Sequence, residues 1–206
     1  MELQTGHLHK IIPEASLGEF KISHRTTTLS DIQMLKMRDY REYYDFKPGT
    51  YTILHGSLET IMSDTPMEIR TNVDIIRKAN GKVLIGGLGL GLILLELQKN
   101  PEIESVLIIE KNQEIIDMVL PHLKLDNRFK VVQGDIFTFE LSKEQKFDTI
   151  YFDIWNGICE DNYDEMKELH KRYRKNFNLK NPQRFIDSWR KNDCKRLRFS
   201  PSRNRW

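Results

Sequence analysis

The sequence predicts an α/β fold: a parallel sheet with helices on both faces. Three observations carry this. Four short apolar runs, "KVLIGG", "SVLIIE", "FKVVQGD" and "FDTIYFDIW", occupy the centre of the chain, and continuous apolar strands of this kind are buried on both faces. Helical patterns follow the first two runs, "LGLILLELQKN" and "NQEIIDMVLPHLK", an alternation that builds right-handed strand–helix–strand crossovers. The first run ends in four glycines, Gly86, Gly87, Gly89 and Gly91, which lets a ligand come close to the main chain. Together they describe a Rossmann-like sheet.

The flanking elements follow in chain order. Residues 31–46 read as a helix with Asp31 as N-cap. "TYTILHGSLETIMSD" reads as a hairpin turning at His55, Gly56 and Ser57. In "TPMEIRTNVDIIRKANG", Ile69, Val73 and Ile76 recur at helical spacing, with Pro66 in the first turn and Gly81 as the stop. After Trp155, "DNYDEMKELHKRYRKNF" and "NPQRFIDSWRKNDCKRL" read as amphipathic helices, the second capped by Asn181 with Pro182 at its first position. No strand is expected after the fourth. The chain divides into a helix and hairpin extension (1–62), a core sheet (63–157) and C-terminal helices with a basic tail (158–206), all within one domain.

Composition narrows the class. The chain has 206 residues, 39% hydrophobic and 30% charged, which fits a soluble globular domain. No apolar run approaches the ~20 residues of a membrane span. "MELQTGHLHKIIPEAS" lacks the pattern of a signal peptide. Cys159 and Cys194 form no disulfide framework or metal-ligand spacing. A cytoplasmic setting is expected, with no metal and no membrane. Charge is uneven: Lys167 to Trp206 hold 14 Lys and Arg against 3 Asp and Glu.

The glycine spacing selects a ligand. A dinucleotide turn needs G-x-G-x-x-G, and that frame fails: from Gly86 the third position is Leu88, and from Gly87 the sixth is Leu92. Gly87, Gly89 and Gly91 fit G-x-G-x-G, the tighter turn of enzymes that bind S-adenosylmethionine (SAM), which has no pyrophosphate. The bland alternative is a close-packed turn that binds nothing. Three acids follow at strand ends: Glu110, where a carboxylate can accept ribose hydroxyls, Asp135, where one can accept an adenine amine, and Asp153. Singly, each can be a cap or turn residue.

With these motifs, the run from about Ser63 to Trp155 resembles the class I SAM-dependent methyltransferase fold, in its spermidine-synthase-like branch. "VLIGGLGLG" resembles the glycine motif, "VLIIEKNQEII" the ribose motif, "VVQGDIF" the adenine motif and "FDTIYFDIW" the strand before the reaction centre. The resemblance implies SAM as cofactor, lined by Gly86, Gly87, Gly89, Gly91, Glu110, Lys111, Asp135, Ile136 and Asp153. It gives Asp153 the catalytic place. Polyamine synthases also carry an acid inside the glycine loop and a D-x-x-D-P motif after the fourth strand. Here Leu88 or Leu90 stands for the first, and the motif reads Asp153, Ile154, Trp155, Asn156, Gly157. An amine bound as a cation and then deprotonated wants two carboxylates, so the missing acid speaks against aminopropyl transfer. The family sheet has seven strands, and the early end of this one leaves an edge to be covered by the chain's own elements or by a partner.

Other candidates have two readings each. Asp64, Glu68 and Arg70 lie where the branch lines the mouth of its pocket, or they are the charged face of a capped helix. Trp155 stacks on a substrate ring, or is a rim aromatic. His55 is a base or a turn residue. The expected function is a SAM-dependent methyltransferase on an unidentified acceptor, with Asp64 and Trp155 as substrate contacts. The alternatives are an aminopropyltransferase using decarboxylated SAM and a non-catalytic SAM-binding protein. A homo-oligomer through the sheet edge is a possible partner arrangement. For the basic tail, nucleic-acid binding is not favoured. The apolar stripes of the late helices favour packing of residues 161–197 on the body, leaving about the last nine residues mobile.

Overall fold

The computed structural model describes residues 7–199. Four antiparallel strands come first, β1 (Ala15–Leu17), β2 (Phe20–Thr27), β3 (Gly49–His55) and β4 (Thr60–Ser63), paired in that order. The expected hairpin is β3–β4, closed by the Gly56 N–H donating to the Glu59 carbonyl at 2.9 Å. Two helices, α1 (Leu29–Arg38) and α2 (Tyr40–Tyr43), stand between β2 and β3. Asp31 is not the N-cap. Thr28 is, and Asp31 closes a capping box by accepting the Thr28 N–H at 2.8 Å.

The helix expected over 65–81 is two, α3 (Pro66–Thr71) and α4 (Val73–Lys78), broken at the fully buried Asn72. Gly81 does not stop a helix. It opens β5 with φ of 60°, and a side chain there would strike the Asp148 carboxylate.

The central elements are β5 (Gly81–Gly86), α5 (Leu92–Leu97), β6 (Ile103–Glu110), α6 (Gln113–Val119), β7 (Phe129–Gln133), β8 (Thr149–Phe152), α7 (Glu160–Tyr173), β9 (Phe185–Ser188) and α8 (Lys191–Phe199). The sheet runs β7-β6-β5-β8-β9, parallel throughout. The chain moves outward from β5 to β7, then returns to the other side of β5. The β5/β8 junction is therefore a topological switch point, where open α/β sheets bind ligands at the carboxyl ends of their strands.

Strand alternation divides the interior in two. Val83, Ile85, Val106, Ile108 and Tyr151 share a core with the N-terminal Ile12, Ile22 and Leu54. Leu84, Ile109, Ile150 and Phe152 pack on the opposite side with Leu169 and Tyr173 of α7.

The fifth strand, β9, corrects the sequence expectation. Phe185 to Ser188 pair with Thr149 to Phe152 instead of forming a helix. Asn181 does not cap a helix. Its Nδ2 donates to Asn80 Oδ1 and Asp148 Oδ1, each at 2.8 Å, and its Oδ1 accepts the Gln183 N–H at 2.8 Å. That turn pins the chain at the amino ends of β5 and β8, so the next apolar residues satisfy the open edge of β8. Residues 161–197 pack on the body as expected, with Met166, Leu169, Tyr173, Trp189 and Cys194 all buried. Of the expected mobile end, residues 200–206 lie outside the described residues. No described helix is long and apolar enough to cross a membrane.

Candidate active site

The glycine turn leaves β5 and enters α5. Gly87 and Gly89 have φ of 100° and 51°, a region that favours glycine. A side chain on Gly87 would strike the Asp153 carbonyl, and one on Gly89 would strike the Met62 sulfur. Both glycines line a cavity of about 530 Å³. Gly86 and Gly91 do not line it, contrary to expectation. Gly86 is wedged between Ile136 and Phe152, and Gly91 lies at the start of α5 under Leu123. Two of the four glycines thus serve packing. Met62 anchors the turn from β4, its sulfur 3.3 Å from the Leu90 nitrogen.

Glu110 ends β6 and is 5% exposed. One carboxylate oxygen accepts the Leu88 N–H at 2.8 Å, and the other accepts the Asn112 N–H at 2.9 Å. The latter oxygen also accepts the Asn112 side-chain amide at 3.3 Å. The residue expected to hold a ribose therefore also holds the glycine turn in place, and the oxygen that accepts the Leu88 N–H keeps acceptor capacity. Asp135, past the end of β7, accepts the Phe137 N–H at 2.9 Å and pairs with Lys111 at 3.1 Å. These partners hold its carboxyl below the ordinary range, the Phe137 hydrogen bond first. Ile136 is buried beside it and lines the cavity.

Asp153 follows β8 on the other side of the switch point. Burial pushes its carboxyl up to about 7, against the opposing pull of the Asn72 side chain. Glu68, on α3, is 7% exposed and lines the same cavity. Its carboxyl is pushed up to about 8, by burial first and the Asp153 charge second. Asn72 ties the two regions together. Its Nδ2 donates to the Glu68 carbonyl at 3.1 Å, and its Oδ1 accepts the Tyr151 hydroxyl at 2.9 Å. The cavity thus holds a second acid beside Asp153, supplied by α3 and not by the loop after β8.

The neighbours of Glu68 are not at the site. Asp64 is 1% exposed and outside the cavity, which corrects its assignment as a substrate contact. Its two oxygens accept the Leu8 N–H at 3.0 Å and the Thr52 N–H at 2.6 Å, so it joins the N-terminal segment to β3. Arg70 pairs with Asp45 and donates to the Glu42 carbonyl at 3.1 Å, bracing α2. His55 shares a 2.8 Å hydrogen bond with Ser23 and does not line the cavity.

Trp155 stands at the cavity, its indole N–H donating to Glu165 of α7 at 2.7 Å. Asn156 donates to Glu59 of the hairpin at 2.9 Å, which bridges the hairpin and the loop after β8. Seven carboxylates line the cavity: Glu68, Glu110, Asp135 and Asp153 within, and the exposed Glu19, Glu59 and Glu165 at the rim. Lys111 is the single cation among the described lining residues. Such a cavity favours a cationic ligand. Glu19, Glu59, Glu165, Met62 and Asn72 were not singled out from sequence. They come from separated elements, and only the fold brings them together.

A sequence profile of the spermine/spermidine synthase domain matches residues 65–177, more than half of the chain. The chain belongs to the spermine/spermidine synthase domain family. The match spans α3, the glycine turn, the acids at the strand ends and α7.

Solved structures similar to this family member include spermidine synthase from Thermotoga maritima, at 17% identity over 77% of this chain and 52% of that one, with a TM-score of 0.45. A spermidine synthase in complex with the transition-state analogue AdoDATO is 20% identical over 62% of this chain and 47% of that one, with a TM-score of 0.41. TrmK of M. capricolum, solved with S-adenosyl-homocysteine, is 15% identical over 52% of this chain and 47% of that one, with a TM-score of 0.42. The chain spans about half the length of each of these proteins. No curated protein matches it.

Proposed function

We propose that the chain is a SAM-dependent transferase whose acceptor is an amine, with methyl transfer as the reaction. One observation carries the amine: Glu68 and Asp153 bring two carboxyl groups into the cavity at the switch point, with pKa values raised to about 8 and about 7. Groups that titrate there can hold an ammonium when ionised and accept its proton as the amine attacks. The ligand would lie across the turn at Gly87 and Gly89, with Glu110 toward the ribose and Asp135 and Ile136 toward the adenine. Bound SAM supplies an activated sulfonium carbon. The chain's residues hold the acceptor in line and take its proton. Leu88 and Leu90, standing where polyamine synthases carry an acid inside the glycine loop, favour methyl over aminopropyl transfer.

One observation favours aminopropyl transfer from decarboxylated SAM as a second reading. Lys111 is the single cation among the described cavity residues and is paired with Asp135 at 3.1 Å, so no side-chain cation is left for a methionine carboxylate. Incubation with SAM or decarboxylated SAM and a panel of mono- and diamines tests both. Methyl transfer releases S-adenosylhomocysteine, and aminopropyl transfer releases methylthioadenosine. Turnover with hydroxyl or thiol acceptors alone would overturn the amine.

A further inference from the structure

The amino edge of the parallel sheet carries a second hollow, of about 790 Å³, at the end opposite the acidic cavity. Lys82 reaches it from β5, Lys146 from the loop before β8, and Arg174, Lys175 and Lys180 from the segment between α7 and β9. All five are exposed. None is in an ion pair among the described residues.

Lys171, Arg172, Arg184 and Lys195 of the basic C-terminal region have no ion pair either, but they lie outside the hollow, and that region's remaining described cations outside the hollow are paired. Lys167 and Arg198 pair with Asp164 at 2.7 and 3.0 Å, Arg190 pairs with Asp193 at 2.9 Å, and Lys191 pairs with Asp187. The Lys146 ammonium donates to the Lys175 carbonyl at 2.6 Å, and two acids, Asp148 and Glu104, line the hollow with the five cations. Asp148 is 7% exposed and accepts the Lys82 N–H at 2.9 Å and the Asn178 and Asn181 amides at 2.7 and 2.8 Å. Its carboxylate shapes the hollow rather than neutralising the rim. Leu179, 70% exposed, and the half-buried Phe177 lie between the cations.

We propose that this hollow binds the phosphate backbone of single-stranded nucleic acid. Unpaired cations around a groove gain by releasing counterions from phosphates. Apolar surface between them gives a base a face to lie on. The concave shape suits a single strand; a duplex is read by an element that projects into its groove. The site is built from the start of β5, the loop before β8 and the segment between α7 and β9, at the end of the sheet opposite the acidic cavity.

Fluorescence anisotropy of labelled oligo-dT and oligo-U with the full chain tests this. At roughly 0.7 in log–log slope per phosphate on single strands, three neutralised phosphates weaken binding roughly 20-fold between about 50 and 200 mM salt. Charge reversal by Lys175→Glu with Lys180→Glu is expected to cost at least about tenfold in affinity, with thermal unfolding and S-adenosylhomocysteine binding unchanged. Absence of binding at low salt, equal affinity in the charge-reversed variant, or tighter binding of a duplex would overturn the proposal. So would loss of binding on Arg203→Ala with Arg205→Ala while the hollow is intact.

Discussion

Glu68 on α3 and Asp153 after β8 line one cavity, and the Asp153 charge is, after burial, the largest influence raising the Glu68 carboxyl to about 8. The Asp153 carboxyl stands at about 7. Both are mostly neutral near pH 6 and ionised near pH 9. A cationic acceptor gains from them only when they are ionised. The account therefore predicts that kcat/KM for the acceptor rises across about pH 6 to 9, and that Glu68→Gln lowers it and removes the upper part of the rise. A flat profile with unchanged kcat/KM in Glu68→Gln would contradict the pairing.

The same shifts make a stability prediction. In the unfolded chain both acids ionise near pH 4, and in the folded chain only near 7 and 8. Between those values the folded state binds more protons, so these two groups erode stability as pH rises. Glu68→Gln is expected to raise Tm by several degrees near pH 9 and to leave it nearly unchanged near pH 4. Calorimetric scans at the two pH values measure this directly.

Asn72→Leu tests the tie between the two acids. It leaves the Tyr151 hydroxyl, on a residue 3% exposed, without its acceptor, at a cost of about 1–3 kcal/mol in unfolding free energy. It also removes the side chain that lowers the Asp153 pKa. The pH profile of kcat/KM is then expected to move to higher pH. A stability loss with an unmoved profile would make Asn72 purely structural.

The parts of the site that were legible in the sequence are those set by local pattern. The four strands from β5 to β8 are continuous apolar runs, and Glu110, Asp135 and Asp153 fall at or just past their ends because the fold places strand ends on one edge. What was not legible depends on long-range partners. Asn181 and Pro182 have the local form of a helix start, but the Asn80 and Asp148 side chains capture Asn181, so Phe185–Ser188 became a strand. The sequence favours Asp64 over Glu68 as the substrate contact. The break at Asn72 and the pinning of Asp64 to Leu8 and Thr52 send only Glu68 into the cavity. Gly86 and Gly91 could not be told from Gly87 and Gly89 by spacing, because Phe152 and Leu123 occupy their space from elsewhere in the chain.

Glu110→Ala is expected to weaken S-adenosylhomocysteine binding by about 1.5–3 kcal/mol, the range for hydrogen bonds to a charged group. It also frees the Leu88 N–H that fixes the turn. Glu110→Gln, which can still accept that N–H, is expected to lose less. Unchanged affinity in folded Glu110→Ala, measured by titration calorimetry, would make Glu110 a brace for the turn alone.

Truncation after Trp155 removes α7, β9 and α8, and with them Leu169 and Tyr173 of the second core and the strand paired to β8. The expected result is an insoluble chain, or one without a cooperative thermal transition. A soluble truncated chain that still binds S-adenosylhomocysteine would show that the C-terminal quarter is dispensable to the fold.

The central claim is that the cavity between β5 and β8 takes SAM or its demethylated product. Titration calorimetry of the full chain with S-adenosylhomocysteine and with NAD measures it most directly. The account predicts saturable binding of S-adenosylhomocysteine, weakened by Glu110→Ala, and far weaker binding of NAD. Tight NAD binding with no S-adenosylhomocysteine signal would contradict it.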